Sequence, residues 1–174
     1  RKNLAALQET LRRDLRGFRW TDPADFHLTL KFLGDVDVED VGTACRLAEG
    51  AVEGIGAFEF QLKGLGVFPN TSSPRVLWVG VERGVEALEE MANRLEAAAD
   101  ERLGVRPEAR RFRAHVTLAR NQGQIDGEKT RAALEQYANR EIAKVYCDEL
   151  ATFQSARRPS PDDGQYEILA TTPL

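Results

Sequence analysis

Cysteine is scarce in this chain, with two residues among 174, standing far apart as Cys45 and Cys147. Such a pair makes neither a disulfide framework nor a metal-type spacing, and both read as small core residues of a protein from a reducing compartment. Long apolar runs are missing too, which excludes a membrane-spanning helix, and nothing in the sequence reads as a signal peptide. The location expected from this is cytoplasmic, with no membrane partner. Basic charge is not in excess: Lys and Arg total 24 against 28 Asp and Glu, for a net charge of −4. That balance excludes a broad nucleic-acid binder held by counterion release. No Gly-rich lysine loop is present to activate a nucleotide. A hydrophobic share of 42% and a charged share of 30% are globular values. The length suffices for one compact domain, residues 1–174, with its own core.

Histidine is also down to two residues, and both open the same pattern: His27-Leu28-Thr29-Leu30 and His115-Val116-Thr117-Leu118. On a strand, side chains alternate faces. His27 and Thr29 then share one face and Leu28 and Leu30 the other; His115 and Thr117 stand likewise against Val116 and Leu118. Each strand offers an imidazole beside a hydroxyl, with an apolar back for a core. A single histidine on a strand is more often structural than catalytic. Packing, however, gives no reason to repeat the polar pair.

The repeat extends along the chain. Leu4, Leu7, Leu11 and Leu15 stripe a helix that stops near Gly17, and His27 follows on a strand over about 26–33. A weaker helix with Val41, Cys45, Ala48 and Val52 comes next. Two strands follow it, one with Phe58, Phe60 and Leu62 alternating and one over 75–81 around Trp78. In the second half, Val85, Leu88, Met91, Ala92, Leu95 and Ala99 stripe a helix ending near Gly104, and His115 follows on a strand. A helix over 128–138 and strands over 144–153 and 165–171 complete it, the last two separated by the loop 157–164. The expected fold is α+β: one bilobal domain of two pseudo-symmetric lobes, from about 1–82 and 83–174. Each lobe has a mainly antiparallel sheet with helices outside, and the two His-x-Thr strands face each other across a central cleft. The sequence starts on a helical pattern without Met, so a strand before that helix is expected to complete the first lobe.

Arg106, Arg110, Arg111 and Arg113 run into His115, and Arg120 follows its motif. An arginine run is usually a solvated face; here it borders a prospective phosphate site. Lys31 shares parity with His27 and Thr29. Arg120 has the opposite parity to His115 and needs a strand end or a bulge to turn inward.

Paired His-x-Thr motifs, one in each half of a small chain, resemble the two-histidine (2H) phosphoesterase superfamily. The segments 26–34, 75–81, 112–120 and 166–174 are similar to its RNA 2′,3′-cyclic phosphodiesterase branch, formerly called 2′-5′ RNA ligase, and the resemblance covers nearly the whole chain. It implies cleavage of RNA or nucleoside 2′,3′-cyclic phosphate ends to 2′-phosphomonoesters. It also implies His27 as proton donor and His115 as proton acceptor, with no cofactor and no metal.

The chemistry agrees with this independently. Opening a cyclic phosphate needs a base for water and an acid for the departing ribose oxygen. Imidazoles, with an ordinary pKa of about 6.5, supply both near neutral pH, each transfer being worth ~10²–10⁴-fold. Thr29 and Thr117 can donate to the non-bridging oxygens, and Arg120 can bind the phosphate. Two histidines without paired carboxylates make a poor zinc site. Partners expected are RNA with cyclic phosphate ends or cyclic nucleotides, met by a monomer. The competing readings are 2′-5′ RNA end joining at the same site and a non-catalytic RNA-end or nucleotide-binding module. A shared site requires imidazole nitrogens roughly 5–8 Å apart, room for one phosphorus with an oxygen on each side.

Overall fold

The computed structural model describes residues 1–155 and 166–174. The expected loop 157–164 lies outside the described residues, as does Gln165 at the start of the last expected strand. Four α-helices are present among the described residues: α1 (Lys2–Asp14), α2 (Val41–Val52), α3 (Val85–Leu103) and α4 (Gly127–Tyr137). The strands are β1 (Phe18–Trp20), β2 (Phe58–Phe68), β3 (Val76–Arg83), β4 (His115–Asn121), β5 (Glu141–Cys147), β6 (Glu149–Ser155) and β7 (Tyr166–Pro173). They form a five-stranded sheet in the order β1-β4-β3-β2-β5 and a two-stranded ribbon, β6-β7. The class is α+β with antiparallel pairing, as the periodicity predicts.

The chain divides into two compact units, each taking pieces from both halves of the sequence repeat. The first is Arg1–Leu28, Phe60–Arg83 and His115–Val145; the second is Thr29–Glu59, Gly84–Ala114 and Tyr146–Leu174. The repeats 1–82 and 83–174 thus describe the sequence, while packing follows another division, in which both histidines fall in the first unit.

In the first unit, the leucine stripe of α1 is buried at Leu4, Leu7 and Leu11, and its continuation Leu15 is buried beyond the helix end. Gly17 turns the chain into β1 at φ 83°, a left-handed conformation, and a Cβ there would collide with the carbonyl of Gln124. β3 and β4 each carry one apolar face, with Leu77, Val79, Val116 and Leu118 all at most 5% exposed. Asp126 caps α4, its side chain accepting from the Glu128 and Lys129 N–H groups.

In the second unit, α2 packs on α3 and on both strands of the β6–β7 ribbon. Its core is Leu47, Ala51, Leu95 and Ala99, flanked by Leu30, Leu33 and Leu150. The buried face of α2 is therefore centred on Leu47 and Ala51, with Cys45 only half-buried. Cys147 is half-buried as well, so neither cysteine is a core residue.

Two strand expectations are corrected. The single strand over 144–153 is two, β5 and β6, broken at Asp148, and the chain changes sheets there. Aspartate is a poor strand former, and it stands where the ladder must end. The strand over 26–33 does not form; Leu28 makes one isolated antiparallel bridge to Val116. Its interruption has a local cause. Asp22 accepts from the Ala24 N–H at 2.8 Å and caps a 3-10 turn, Pro23–Asp25, whose proline has no N–H for a ladder. The segment consequently meets β4 twice, first as β1 and again at Leu28.

Candidate active site

Register defines the site face. Leu28 pairs with Val116, so in an antiparallel arrangement His27 stands opposite Thr117, and His115 is its diagonal neighbour. Diagonal residues have Cα atoms about 7–8 Å apart and Cβ atoms somewhat closer. On the other side of β4, Thr117 pairs with Trp78 and His115 with Gly80. Trp78 in turn pairs with Gly66, and Val76 with Phe68. Residues directly opposite share a face, so His27, His115, Thr117, Trp78, Gly66 and Phe68 lie on one side of the sheet. Leu77, Val79, Val116 and Leu118 take the other, buried side.

Each imidazole is held by identifiable neighbours. His27 is half-buried, and its Nδ1–H donates to the Asp25 carbonyl at 2.7 Å, across the 3-10 turn. That bond assigns the proton of the neutral tautomer to Nδ1 and leaves Nε2 as that tautomer's acceptor nitrogen. His115 is also half-buried, with Phe68 edge-on at 5.0 Å and Trp78 tilted at 5.9 Å between ring centroids. Phe68 and Trp78 are 5.0 Å apart, and the indole lies over Gly66, where a Cβ would run into its six-membered ring. An aromatic wall thus fixes the His115 ring.

A bulge decides the place of Arg120. Trp78 pairs with Thr117 but Leu77 pairs with Ala119, so Leu118 is an extra residue in β4. Leu118 and Ala119 are consecutive and both 0% exposed, as a bulge on the apolar face requires. Beyond it the parity inverts, and Arg120 pairs with Val76, which shares the face of Trp78. Arg120 is therefore brought to the histidine face, exposed, by the device its parity demanded. The Leu118 carbonyl accepts from the Thr21 N–H at 2.9 Å and from Gln8 Nε2 at 3.1 Å, and Gln8 Nε2 also donates to the Thr21 carbonyl at 2.7 Å. Gln8 is 3% exposed, so a buried amide on α1 ties the bulge to the end of β1.

The first unit thus brings together His27, His115, Thr117 and Arg120. Thr29, half-buried, is the first residue of the second unit. Lys31, which shares the parity of His27 and Thr29, has its ammonium paired with Glu96 at 2.8 Å, its side chain only 3% exposed. Burial alone would raise the Glu96 pKa. The Lys31 hydrogen bond, the Glu108 N–H and the Lys31 charge outweigh burial and hold it below the ordinary glutamate value. Of the arginine run, Arg111 pairs with Glu89 at 3.2 Å. Among the described residues no three His, Cys, Asp or Glu side chains are grouped as a metal site would need, and no helix is long and apolar enough to cross a membrane. Sequence reasoning missed Gln8, although a glutamine on a leucine stripe was a visible signal. It also missed the aromatic wall, whose signal is Gly66 two residues before Phe68 on one strand.

The family model for LigT-like phosphoesterases matches this chain twice, over residues 1–78 and 79–161. A protein of Aquifex aeolicus named RNA 2′,3′-cyclic phosphodiesterase is 32% identical over 139 residues, covering 79% of this chain and 72% of its own. One of Aeropyrum pernix with the same name is 31% identical over 155 residues, covering 87% and 85%. The crystal structure of the Thermus thermophilus protein TT0787 superposes with a TM-score of 0.78 at 25% identity, over 99% of this chain and 90% of that one. Escherichia coli LigT, solved with 3′-AMP, shares the fold at a TM-score of 0.69 and 23% identity, over 99% and 90%. With both halves matched and the fold shared along its length, the chain belongs to the LigT-like phosphoesterase family of the two-histidine superfamily.

Proposed function

We propose that this protein hydrolyses 2′,3′-cyclic phosphate ends of RNA, or nucleoside 2′,3′-cyclic phosphates, to 2′-phosphomonoesters without a metal. The observation that carries the reading is the Leu28–Val116 bridge, beside which His27 stands diagonal to His115. The names of the Aquifex and Aeropyrum relatives support the same substrate class. In this reading His115 takes a proton from water as its oxygen attacks phosphorus. The P–O3′ bond breaks in line, and His27 Nε2 gives its proton to the departing O3′. The imidazoles finish with exchanged protonation states, and solvent resets them. Asp25, by holding Nδ1–H of His27, keeps Nε2 aimed as the donor. Thr29 and Thr117 donate to the non-bridging oxygens of the reacting phosphate, and Arg120 binds substrate phosphate. In this reading residues 1–174 are one domain, working as a cytoplasmic monomer.

The test is incubation with a nucleoside 2′,3′-cyclic phosphate, with and without EDTA, and identification of the product by phosphorus NMR. A 2′-phosphate formed at the same rate in both, with a bell-shaped pH profile, is expected. A 3′-phosphate, EDTA inhibition or joined RNA ends in place of hydrolysis would replace the proposal.

A further inference from the structure

β1 was not legible in the sequence, and it places a second arginine beside Arg120. Arg19 pairs directly with Arg120 across the β1–β4 ladder. Phe18 is buried and Trp20 half-buried, which leaves Arg19, between them, on the opposite, histidine-bearing side. Like charges placed directly opposite on a sheet destabilise it. No ion pair or hydrogen bond relieves either guanidinium among the described residues. The bulge at Leu118 gives up regular pairing to bring Arg120 to this spot. Repulsion assembled by a bulge next to a phosphate-handling site points to an anion between the two groups.

Position then selects which anion. The Arg19–Arg120 row lies at Val76, two residues along β3 from the Trp78 row that holds Thr117 and, opposite it, His27. At 3.3–3.4 Å per residue the rows are about 7 Å apart, close to the reach from one backbone phosphate to the next in an extended single strand. We infer that Arg19 and Arg120 clamp the phosphodiester immediately upstream of the terminal cyclic phosphate, so that an oligonucleotide end is preferred over a mononucleotide. Planar guanidinium groups suit this role, since each can give two parallel N–H donors to one phosphate. The inference rests on the function proposed above and deepens its substrate class.

The experiment compares a nucleoside 2′,3′-cyclic phosphate with a dinucleotide ending in the same cyclic nucleotide, using the intact protein and Arg19→Ala. The ratio of kcat/KM, dinucleotide over mononucleotide, is expected to fall about tenfold in the variant, carried by KM. The dependence of log kcat/KM on log salt for the dinucleotide should become shallower by ~0.7, one phosphate's share for a single strand. Arg19→Lys, which keeps the charge and loses the fork, is expected to restore the salt slope and only part of the ratio. A ratio unchanged by Arg19→Ala, whether both substrates suffer equally or neither does, would overturn the clamp. If the intact protein turned over neither substrate, the hydrolase reading would fail by itself. Titration with a nucleoside 2′-phosphate and a dinucleoside carrying the same terminal 2′-phosphate would then decide the clamp, which demands tighter, Arg19-dependent binding of the second.

Discussion

Replacing Gln8 with Leu removes two hydrogen bonds, one buried and one part-buried, while keeping nearly the same volume on α1. The Leu118 carbonyl retains the Thr21 N–H, so its loss is one of two donors, worth about 1 kcal/mol net. The Thr21 carbonyl loses the Gln8 donor at 2.7 Å, and leaving a part-buried acceptor short costs about 1–2 kcal/mol. The sum is about 2–3 kcal/mol, with little cavity contribution because the leucine fills the space. Urea unfolding followed by circular dichroism reads this directly. With a slope of about 2 kcal/mol/M, the midpoint should drop by roughly 1–1.5 M at constant slope. Because those carbonyls sit at the bulge and at the end of β1, kcat/KM should also fall under conditions where the variant remains folded. A midpoint shift below a quarter of that predicted, or full activity in a destabilised variant, would refute the view that Gln8 holds the bulge in place.

Two further outcomes follow from local contacts. Glu96→Gln leaves the Lys31 ammonium almost buried without its carboxylate. The expected loss is about 2 kcal/mol, less than for a fully buried pair because Glu96 is partly exposed. Since the Glu96 pKa is depressed in the folded protein, its contribution is complete above the ordinary glutamate pKa. It disappears as pH falls through the lower folded value, so the variant should show a flatter acid limb in stability against pH; an unchanged limb counts against the pair. Gly66→Ala drives a Cβ into the Trp78 indole, displacing the ring that packs on His115. A loss of about 1–3 kcal/mol accompanied by reduced kcat is expected, and normal kcat would remove the aromatic wall from the account.

The helices were legible because their apolar spacing is strong: the stripes of α1 and α3 bury the leucines that periodicity selects. The candidate histidines were legible because scarcity and repetition coincide in them. The strand around His27 was misread because the apolar alternation from Phe26 to Phe32 does not report backbone pairing, which Pro23 and the Asp22 cap decide, and it misplaces Phe32, which is exposed. β1 is three residues long, too short for a period to register, and with it Arg19 stayed hidden. For Arg120, strand parity stated the requirement for a bulge but could not locate it; the consecutive buried pair Leu118 and Ala119 marks it. Packing of the repeat was not legible at all, because which half supplies which strand to a unit depends on contacts distant in sequence.

The central claim, that one imidazole supplies a proton and the other removes one, is tested most directly by two variants on two substrates. His27→Ala and His115→Ala are assayed on a nucleoside 2′,3′-cyclic phosphate and on an aryl-ester analogue whose leaving group needs no proton. Both variants should lose ~10²–10⁴-fold on the cyclic nucleotide. His27→Ala should recover much of its rate on the aryl ester, whereas His115→Ala should remain impaired because water still lacks its base. Recovery of His115→Ala in place of His27→Ala would reverse the roles. Full activity of either variant on the cyclic nucleotide would contradict the two-histidine mechanism.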